Sequence, residues 1–480
     1  MYRVVLYGLC FLAGLSIVFS VFGLISIKII PLILSLVILT VSCFLTNLII
    51  SKILKAPISN ESHFITALIL FLIFEVDGSV SQYMLLALAG AVAMGSKYIV
   101  TYKKKHIFNP AAFSAFIFGF FGLAASWWVA SSILFIPTLL VGILVVRKIR
   151  RFRLFFSFFA AALLSLIVFA IFKRVSLIET IQSSFFSWPL LFMGSIMVTE
   201  PFTTPPNRKL QTVYGSFIGF LASIQTPILD LYITPELAIL LGNIFSFLVS
   251  PKVRLKLTLQ EKIKLSDTTN AFIFKLPHKF TYLPGQYMEW TLPHAKADLR
   301  GVRRFFTIAS SPTEEGILSL GIKSYIPSST FKKKLFSFMP GDVVWAASPA
   351  GDFILPESSS KRLVFIAGGI GITPFRSMIK YLVDRKEKRD IVLFHVAAGK
   401  EFVYKDLWKE AEKVGIKTFY VNLSQDEKLT PEVLKDTVSD FKNRIFYVSG
   451  SNSMVHTTKD TLSKAGIKSS QIMTDYFPGL

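Results

Sequence analysis

The chain has 480 residues, 52% of them hydrophobic and only 17% charged, where a soluble domain carries about 25%. The shortfall sits in one half: residues 1–250 hold 17 Lys/Arg and 7 Asp/Glu, and residues 251–480 hold the other 35 and 23. The net charge of +22 sits partly in short loops between apolar runs and partly in the ordinary second half, which argues against a nucleic-acid partner. The two cysteines, Cys10 and Cys43, lie inside apolar runs, which excludes a disulfide framework, a zinc site or a four-cysteine cluster, so no metal is expected.

Apolar runs long enough for about 30 Å of hydrocarbon fall at 5–27, 29–50, 81–101, 110–128, 129–146, 154–172, 211–226 and 236–250. Two shorter runs, 63–74 and 185–198, bring the expected spans to ten. The first run follows only Arg3 and lacks a small-residue cleavage site, so it reads as an uncleaved helix. Arg3, Lys52, Lys55, Lys103–Lys105, Arg147, Lys148, Arg150, Arg151, Arg153, Arg208 and Lys209 fall on one side, against Lys28, Lys173 and Arg174 on the other. Lys97 is expected to snorkel. The positive-inside rule then places a multi-pass protein in the inner (cytoplasmic) membrane with both termini in the cytoplasm.

The short runs are the third and eighth of ten, matching places in two inverted five-span halves, a pattern that points to a midplane binding site. A plainer reading is two thin spans supported by their neighbours. After the eighth run comes Met197-Val198-Thr199-Glu200-Pro201-Phe202-Thr203-Thr204-Pro205-Pro206-Asn207-Arg208, where three prolines forbid continuous helix. Its hydroxyls, free amides and Arg208 suit a polar or anionic ligand group. Phe108-Asn109-Pro110-Ala111 gives a second helix entry, which also reads as an ordinary N-cap.

The stretches IFNPAAFSA, MVTEPFTTPPNRKLQTVYG and LLGNIFSFLVSP resemble the NqrB/RnfD family, the membrane flavoprotein subunit shared by the ion-pumping NADH:quinone reductase and the Rnf ferredoxin:NAD complexes. The resemblance covers about residues 1–250. It implies ten helices in inverted halves, a flavin (FMN or riboflavin) and partner subunits. The family's threonine attachment motif before the eighth span is missing from Arg174–Ser184, so any flavin here is expected to be non-covalent. The site residues implied are Asn109, Thr199, Glu200, Thr203, Thr204 and Arg208.

From about 254 the pattern changes to short alternating runs with Gly/Pro turns, as in a small β-barrel. From 361 buried strands alternate with helices, which suggests parallel βαβ units. The expected division is 1–250, 254–355 and 360–480. Within the barrel, Arg304 offers a forked cation to a phosphate, Phe306 a flat face, and Thr307 a hydroxyl. Residues 327–331 would cap a short helix whose first turn favours an anion. Leu363–Ala367 then runs into Gly368-Gly369-Ile370-Gly371-Ile372-Thr373-Pro374, glycines that admit a pyrophosphate at a helix start. This is not the G-x-G-x-x-G motif.

These features are similar to the ferredoxin–NADP reductase superfamily over about 254–480. The resemblance implies FAD held by Tyr287, Arg304, Phe305, Phe306, Thr307, Ser328, Ser329 and Thr330. It implies NADH or NADPH held by Gly368, Gly369, Gly371, Thr373, Pro374, Gly450 and Met454. Thr307, Asp475 and Phe477 would serve hydride transfer or cover the flavin, although Asp475 stands where the family has Glu and Leu480 where it has an aromatic. Lys400 would welcome a 2′-phosphate and Glu401 oppose it, with a lean to NADH.

Two haems are not expected, because the first half holds only His63 and His106, each alone. The chain therefore reads as a polytopic α-helical membrane domain of about ten helices in inverted repeats, fused to a cytoplasmic β-barrel FAD domain and an α/β nucleotide-binding domain. Electrons would pass from NAD(P)H through FAD into the membrane half, and on to quinone or an extracytoplasmic acceptor. Two alternatives stand beside this: a transporter or channel regulated by a reductase module, and a reductase merely anchored to the lipid bilayer.

Overall fold

The computed structural model describes residues 2–54, 61–102, 105–149, 151–205, 207–224, 233–250, 255–294, 297–298, 301–399, 402–425 and 429–477. The chain divides into two compact units, 1–252 and 253–480.

The first unit is helical: α1 (Tyr2–Val21), α2 (Ile29–Ile53), α3 (Ser62–Ile73) and α4 (Val80–Ile99) lead into a two-residue hairpin, β1 (Thr101–Tyr102) and β2 (Lys105–His106). Then follow α5 (Pro110–Gly119), α6 (Phe135–Ile149), α7 (Phe152–Lys173), α8 (Leu177–Phe186), α9 (Leu190–Phe192), α10 (Arg208–Ala222) and α11 (Pro235–Val249). Among the described residues, four helices are long and apolar enough to cross a membrane: Arg3–Val21, Ile29–Ile53, Ser132–Ile149 and Phe152–Lys173. Ser62–Ile73, Pro110–Gly119 and Pro235–Val249 are shorter apolar helices.

Two expected elements take another form. The run at 110–128 is helical only to Gly119; beyond the left-handed Gly122 it turns extended and meets the end of α3. There the Trp127 amide (2.9 Å) and Ser126 hydroxyl (3.1 Å) donate to the Ile73 carbonyl, and the Trp128 indole donates to Phe71 O (2.8 Å) and Phe74 O (3.1 Å). These bonds satisfy the carbonyls that a short buried helix leaves open. Second, the residues just before the short run at 185–198 form a helix of their own, α8. The Ser176 hydroxyl caps it by accepting from the Glu179 amide at 3.3 Å. Pro189 interrupts the next run, which resumes as α9 and a π-turn at Met193–Met197.

The second unit holds two sheets. The strands β3 (Leu255–Lys264), β4 (Thr269–Lys275), β5 (Tyr287–Thr291), β6 (Arg303–Thr307), β7 (Ile317–Lys323) and β8 (Val343–Ala346) form an antiparallel sheet in the order β6-β5-β8-β3-β4-β7. A bond from the Ala309 amide to Ser319 O (2.8 Å) links the two ends, so the sheet curls on itself. Helix α12 (Thr330–Phe336) closes one mouth. Phe272, Phe274, Trp290 and Phe331 fill the interior, all fully buried.

The second sheet is parallel: β9 (Leu363–Gly368), β10 (Ile391–Ala397), β11 (Ile416–Asn422), β12 (Ile445–Ser451) and β13 (Ile472–Phe477), in the order β11-β10-β9-β12-β13. The helices α13 (Thr373–Asp384), α14 (Lys405–Ala411), α15 (Pro431–Thr437) and α16 (Asn452–Lys464) connect them. Strand β9 is buried on both faces: Leu363, Phe365 and Ala367 pack with Phe375 and Ile379 of α13, while Val364 and Ile366 pack with Val455 and Leu462 of α16. Each such full burial contributes roughly 1.5–3 kcal/mol. The chain reverses its direction of travel across the sheet between β9 and β12. In an open α/β sheet, that switch point is where ligands bind, beyond the strands' carboxyl ends.

Candidate functional site

Strand β6 sets Arg304 opposite Trp290 and Thr307 opposite Tyr287. Alternation puts Arg304 and Phe306 on the face toward α12, where the guanidinium lies 5.4 Å and the Phe306 ring 5.7 Å from the Phe331 ring. Phe305 takes the other face, half exposed and edge-on to Tyr287 at 5.7 Å. Arg304 donates to both carboxylate oxygens of Asp298 (2.9 and 3.1 Å) and to the carbonyls of Gly301 (2.9 Å) and Arg303 (2.7 Å).

The same Asp298 carboxylate accepts from the Thr330 amide in the first turn of α12 (3.1 Å). The Thr330 hydroxyl accepts from the Asp298 amide (2.9 Å) and meets His294 Nε2 (2.9 Å). Ser329 caps the helix by accepting from the Lys332 amide at 3.3 Å. A carboxylate held between a guanidinium and a helix amide shows that this spot stabilises an anion. Among the described residues, the buried hydroxyls of Thr307 and Ser328 have no hydrogen-bond partner. Each such group costs about 1–3 kcal/mol unless a ligand satisfies it. A phosphate-bearing cofactor with polar ring edges fits this donor set.

At the switch point, Gly369 is left-handed (φ +53°) and opens a tight turn, Gly369–Ile372, that leads into α13 with Pro374 in its first turn. Thr373 donates back to Ile370 O at 3.2 Å. A Cβ on Gly371 would stand 2.3 Å from Ser449 O, so this glycine lets β9's loop lie against β12. The Met454 thioether covers Gly368 and Gly450, within 2.8 Å of where a Cβ would stand on either. Ser449 lies opposite Asp475, and its buried hydroxyl has no partner among the described residues. The backbone of Phe477 pairs with Ser451 as β13 ends. Lys400, Glu401 and Leu480 lie outside the described residues.

In the helical unit, Asn109 caps α5 by accepting from the amides of Ala111 and Ala112 (both 3.1 Å). Its side-chain amide donates to Glu200 (2.8 Å), and its backbone amide donates to Asn243 (2.7 Å). Asn243 donates in turn to the Tyr214 hydroxyl (3.1 Å), and Thr203 donates to Glu200 (3.3 Å). His106 lies 3.7 Å from the same carboxylate. Asn109, Thr203, Tyr214 and Asn243 are buried. Thr199 turns back to its own helix at Ser195 O (2.8 Å), Thr204 meets Arg151, and Arg208 is exposed at the start of α10. The structure thus gathers Asn109, Glu200 and Thr203 and leaves Thr199 and Arg208 apart.

The chain matches the oxidoreductase FAD-binding domain over residues 256–354 and the oxidoreductase NAD-binding domain over 365–460. This chain is an oxidoreductase. Its second half is an NAD(P)H-dependent flavin reductase module. That module is similar to part of the flavohemoprotein of Bacillus cereus, 26% identical over 241 residues, or 45% of this chain and 59% of the relative. It is also similar to an NADPH oxidoreductase of Mycobacterium tuberculosis, 32% identical over 121 residues, or 25% and 31% of the two chains. The cytochrome b5 reductase domain of Ulva prolifera nitrate reductase covers 47% of this chain and 98% of its own, at 20% identity and a TM-score of 0.41. The chain spans under two thirds of the first flavohemoproteins it matches, at 59%, 59% and 58% of their lengths.

Several polar residues of the reductase module carry no local signal. Asp298 and His294 reach Arg304 and Thr330 only through the fold. Arg376 meets Glu314 across 62 residues of chain. His395 sits in the interior strand β10, its ring nitrogens unpartnered among the described residues and Phe402 5.2 Å away. Burial, then the nearby Lys405 charge, lowers its pKa to about 4. Asn243 and Tyr214 fall inside strings already singled out, LLGN and TVYG, but only the structure joins them to Asn109.

Proposed function

We propose that the oxidoreductase takes hydride from NAD(P)H, with NADH preferred, and passes the electrons through FAD into its helical unit. From there they go to a quinone or an extracytoplasmic acceptor, with or without partner subunits. In this reading the domains are 1–250, 254–355 and 360–480. The chain is multi-pass in the inner membrane, with both termini cytoplasmic.

FAD, when bound, accepts two electrons as hydride and releases them singly. Arg304 and the first turn of α12 would hold its pyrophosphate in place of the Asp298 carboxylate. Phe306 would offer the ring system a flat face, and the Thr307 hydroxyl would supply it with a polar contact. Tyr287, Phe305, Ser328, Ser329 and Thr330 complete the pocket. The turn Gly368–Pro374 would seat the nucleotide pyrophosphate, Gly450 and Met454 would flank the nicotinamide side, and Asp475 and Phe477 would serve the flavin side.

The helical unit resembles the NqrB/RnfD subunit family, whose second flavin (FMN or riboflavin) would here be non-covalent. The observation that carries this reading is the buried network Asn109–Glu200–Thr203–Asn243–Tyr214, which joins the three strings behind that resemblance. Buried polar groups inside an apolar helical unit mark a functional site by default.

Flavin extraction with mass spectrometry of the purified full chain, and NADH oxidation in sealed vesicles, test the proposal. Two flavins per chain, with electrons reaching an acceptor trapped across the bilayer, are expected. One flavin with unimpaired turnover on the nucleotide side would leave the helices as an anchor. Ion flux indifferent to NADH would make them a transporter.

A further inference from the structure

Helix α13 begins where the nucleotide turn ends. One turn later, Arg376 leaves the nucleotide domain and grips the barrel. Its guanidinium donates to Ala309 O at 3.0 Å and pairs with both carboxylate oxygens of Glu314, one of them at 2.8 Å. The neighbouring Ser377 donates to Ser310 O at 2.6 Å. Ala309 and Ser310 are the second and third residues beyond Thr307.

The receiving segment is itself braced. Tyr282 donates to Ser310 O (3.0 Å), Ser319 N to the Ser310 hydroxyl (3.0 Å), and Ser311 N to Glu314 (2.6 Å). On the other flank, the Arg376 guanidinium lies 5.8 Å from the Tyr404 ring. Burial pushes the Tyr404 phenol up to about 12, so it stays neutral beside the cation. A Cβ on Gly321 would come within 2.8 Å of the Tyr404 hydroxyl and 2.7 Å of Thr373 Cγ2. The barrel strand β7 therefore seats closely against both.

The side chains of Arg376 and Glu314 are 18% and 16% exposed. An ion pair buried to that degree gains little over an apolar contact of the same size. What it adds is direction, because a planar fork on a carboxylate and a carbonyl fixes rotation as well as distance. Hydride transfer needs its two reacting atoms held about 3–3.5 Å apart, and a displacement near 1 Å costs roughly 100-fold.

We propose that Arg376 is a positioning residue for hydride transfer. Through Ala309 and Glu314 it sets the spacing between the nucleotide turn at the head of α13 and the flavin strand at Thr307. The inference rests on the flavin and nucleotide assignments above. The C4–H bond of NAD(P)H breaks, its electron pair and hydrogen move to the flavin, and oxidised nucleotide leaves; Arg376 touches none of these atoms.

The test compares Arg376→Ala, Arg376→Lys and Glu314→Gln with the parent in the detergent-solubilised full chain. FAD content, NAD⁺ affinity, the rate of flavin bleaching by NADH on rapid mixing, and hydrogen exchange at 309–311 in flavin-free protein are recorded. Arg376→Ala should keep FAD and NAD⁺ affinity, bleach roughly 100-fold more slowly, and exchange faster at 309–311. Lysine should restore part of the rate, and Glu314→Gln should share the defect. Parental bleaching in Arg376→Ala overturns the proposal, as does loss of both ligands in Arg376→Ala and Arg376→Lys alike. If the parent itself takes up no FAD or is not bleached, the flavin assignment fails instead. The exchange measurement still decides whether Arg376 braces the two segments.

Discussion

Replacing Arg304 with alanine removes a guanidinium that makes two bonds to Asp298, two to carbonyls and a ring contact with Phe331. Two charge-assisted bonds to a phosphate would be worth about 3–6 kcal/mol at 1.5–3 each. Asp298 already occupies the fork, so binding exchanges one anion for another and about half of that survives. The net loss of about 2 kcal/mol corresponds to roughly 30-fold in the Kd for FAD. Flavin-fluorescence titration of the flavin-free protein measures this directly. Asp298→Asn is the companion variant: it removes the competing carboxylate and should leave FAD affinity equal or tighter. The reasoning is refuted if Arg304→Ala binds FAD like the parent. It is also refuted if Asp298→Asn weakens FAD as much as Arg304→Ala does, because the pair would then be a brace rather than a displaced ligand pair.

Gly371→Ala should lower the melting temperature, since its Cβ would press on Ser449 O at 2.3 Å and overpacking costs about 1–3 kcal/mol; an unchanged melting temperature would remove that contact. Gly369→Ala meets open space at φ +53° and should cost about 1–2 kcal/mol while weakening the nucleotide, as a titration with NAD⁺ would report. His395, with its folded pKa lowered to about 4, should make the module lose stability as pH falls. The loss begins near the unfolded value of about 6.5 and levels off near the folded one, roughly 3 kcal/mol in all. His395→Phe should flatten melting curves over that window, and an identical slope would contradict the assignment. Glu200→Ala combined with Thr203→Ala should release any flavin of the helical unit while the FAD in the module stays, read as flavin per chain.

The parallel domain was legible because its signals are local. An apolar β9, a glycine turn and Pro374 at the head of α13 follow each other in sequence. The helical unit was less so. Hydropathy could not see that the run after Gly119 leaves the helix to cap α3, because that choice depends on open carbonyls at Ile73 and Phe74 more than forty residues earlier. The site shows the same divide. Arg304 and Thr307 stand out in a five-residue strand. Asp298 meets Thr330, Glu314 meets Arg376 and Asn243 meets Asn109, each across more than thirty residues, and no spacing rule announces these pairs.

The placement of β13 has a consequence for biosynthesis. Strand β13 is an edge strand whose sole neighbour in the sheet, among the described residues, is β12, paired from Phe446–Ile472 to Ser451–Phe477. Chains acquire structure from the amino terminus as they emerge from the ribosome. The helices and the flavin barrel are therefore translated before the strand that bears Asp475. A nascent chain can hold its barrel and its glycine turn while β12 still presents an open edge, the kind of surface that recruits foreign strands. Addition of β13 then coincides with sealing of that edge, so nonsense truncations upstream of Ile472 should yield aggregating chains rather than partly active ones.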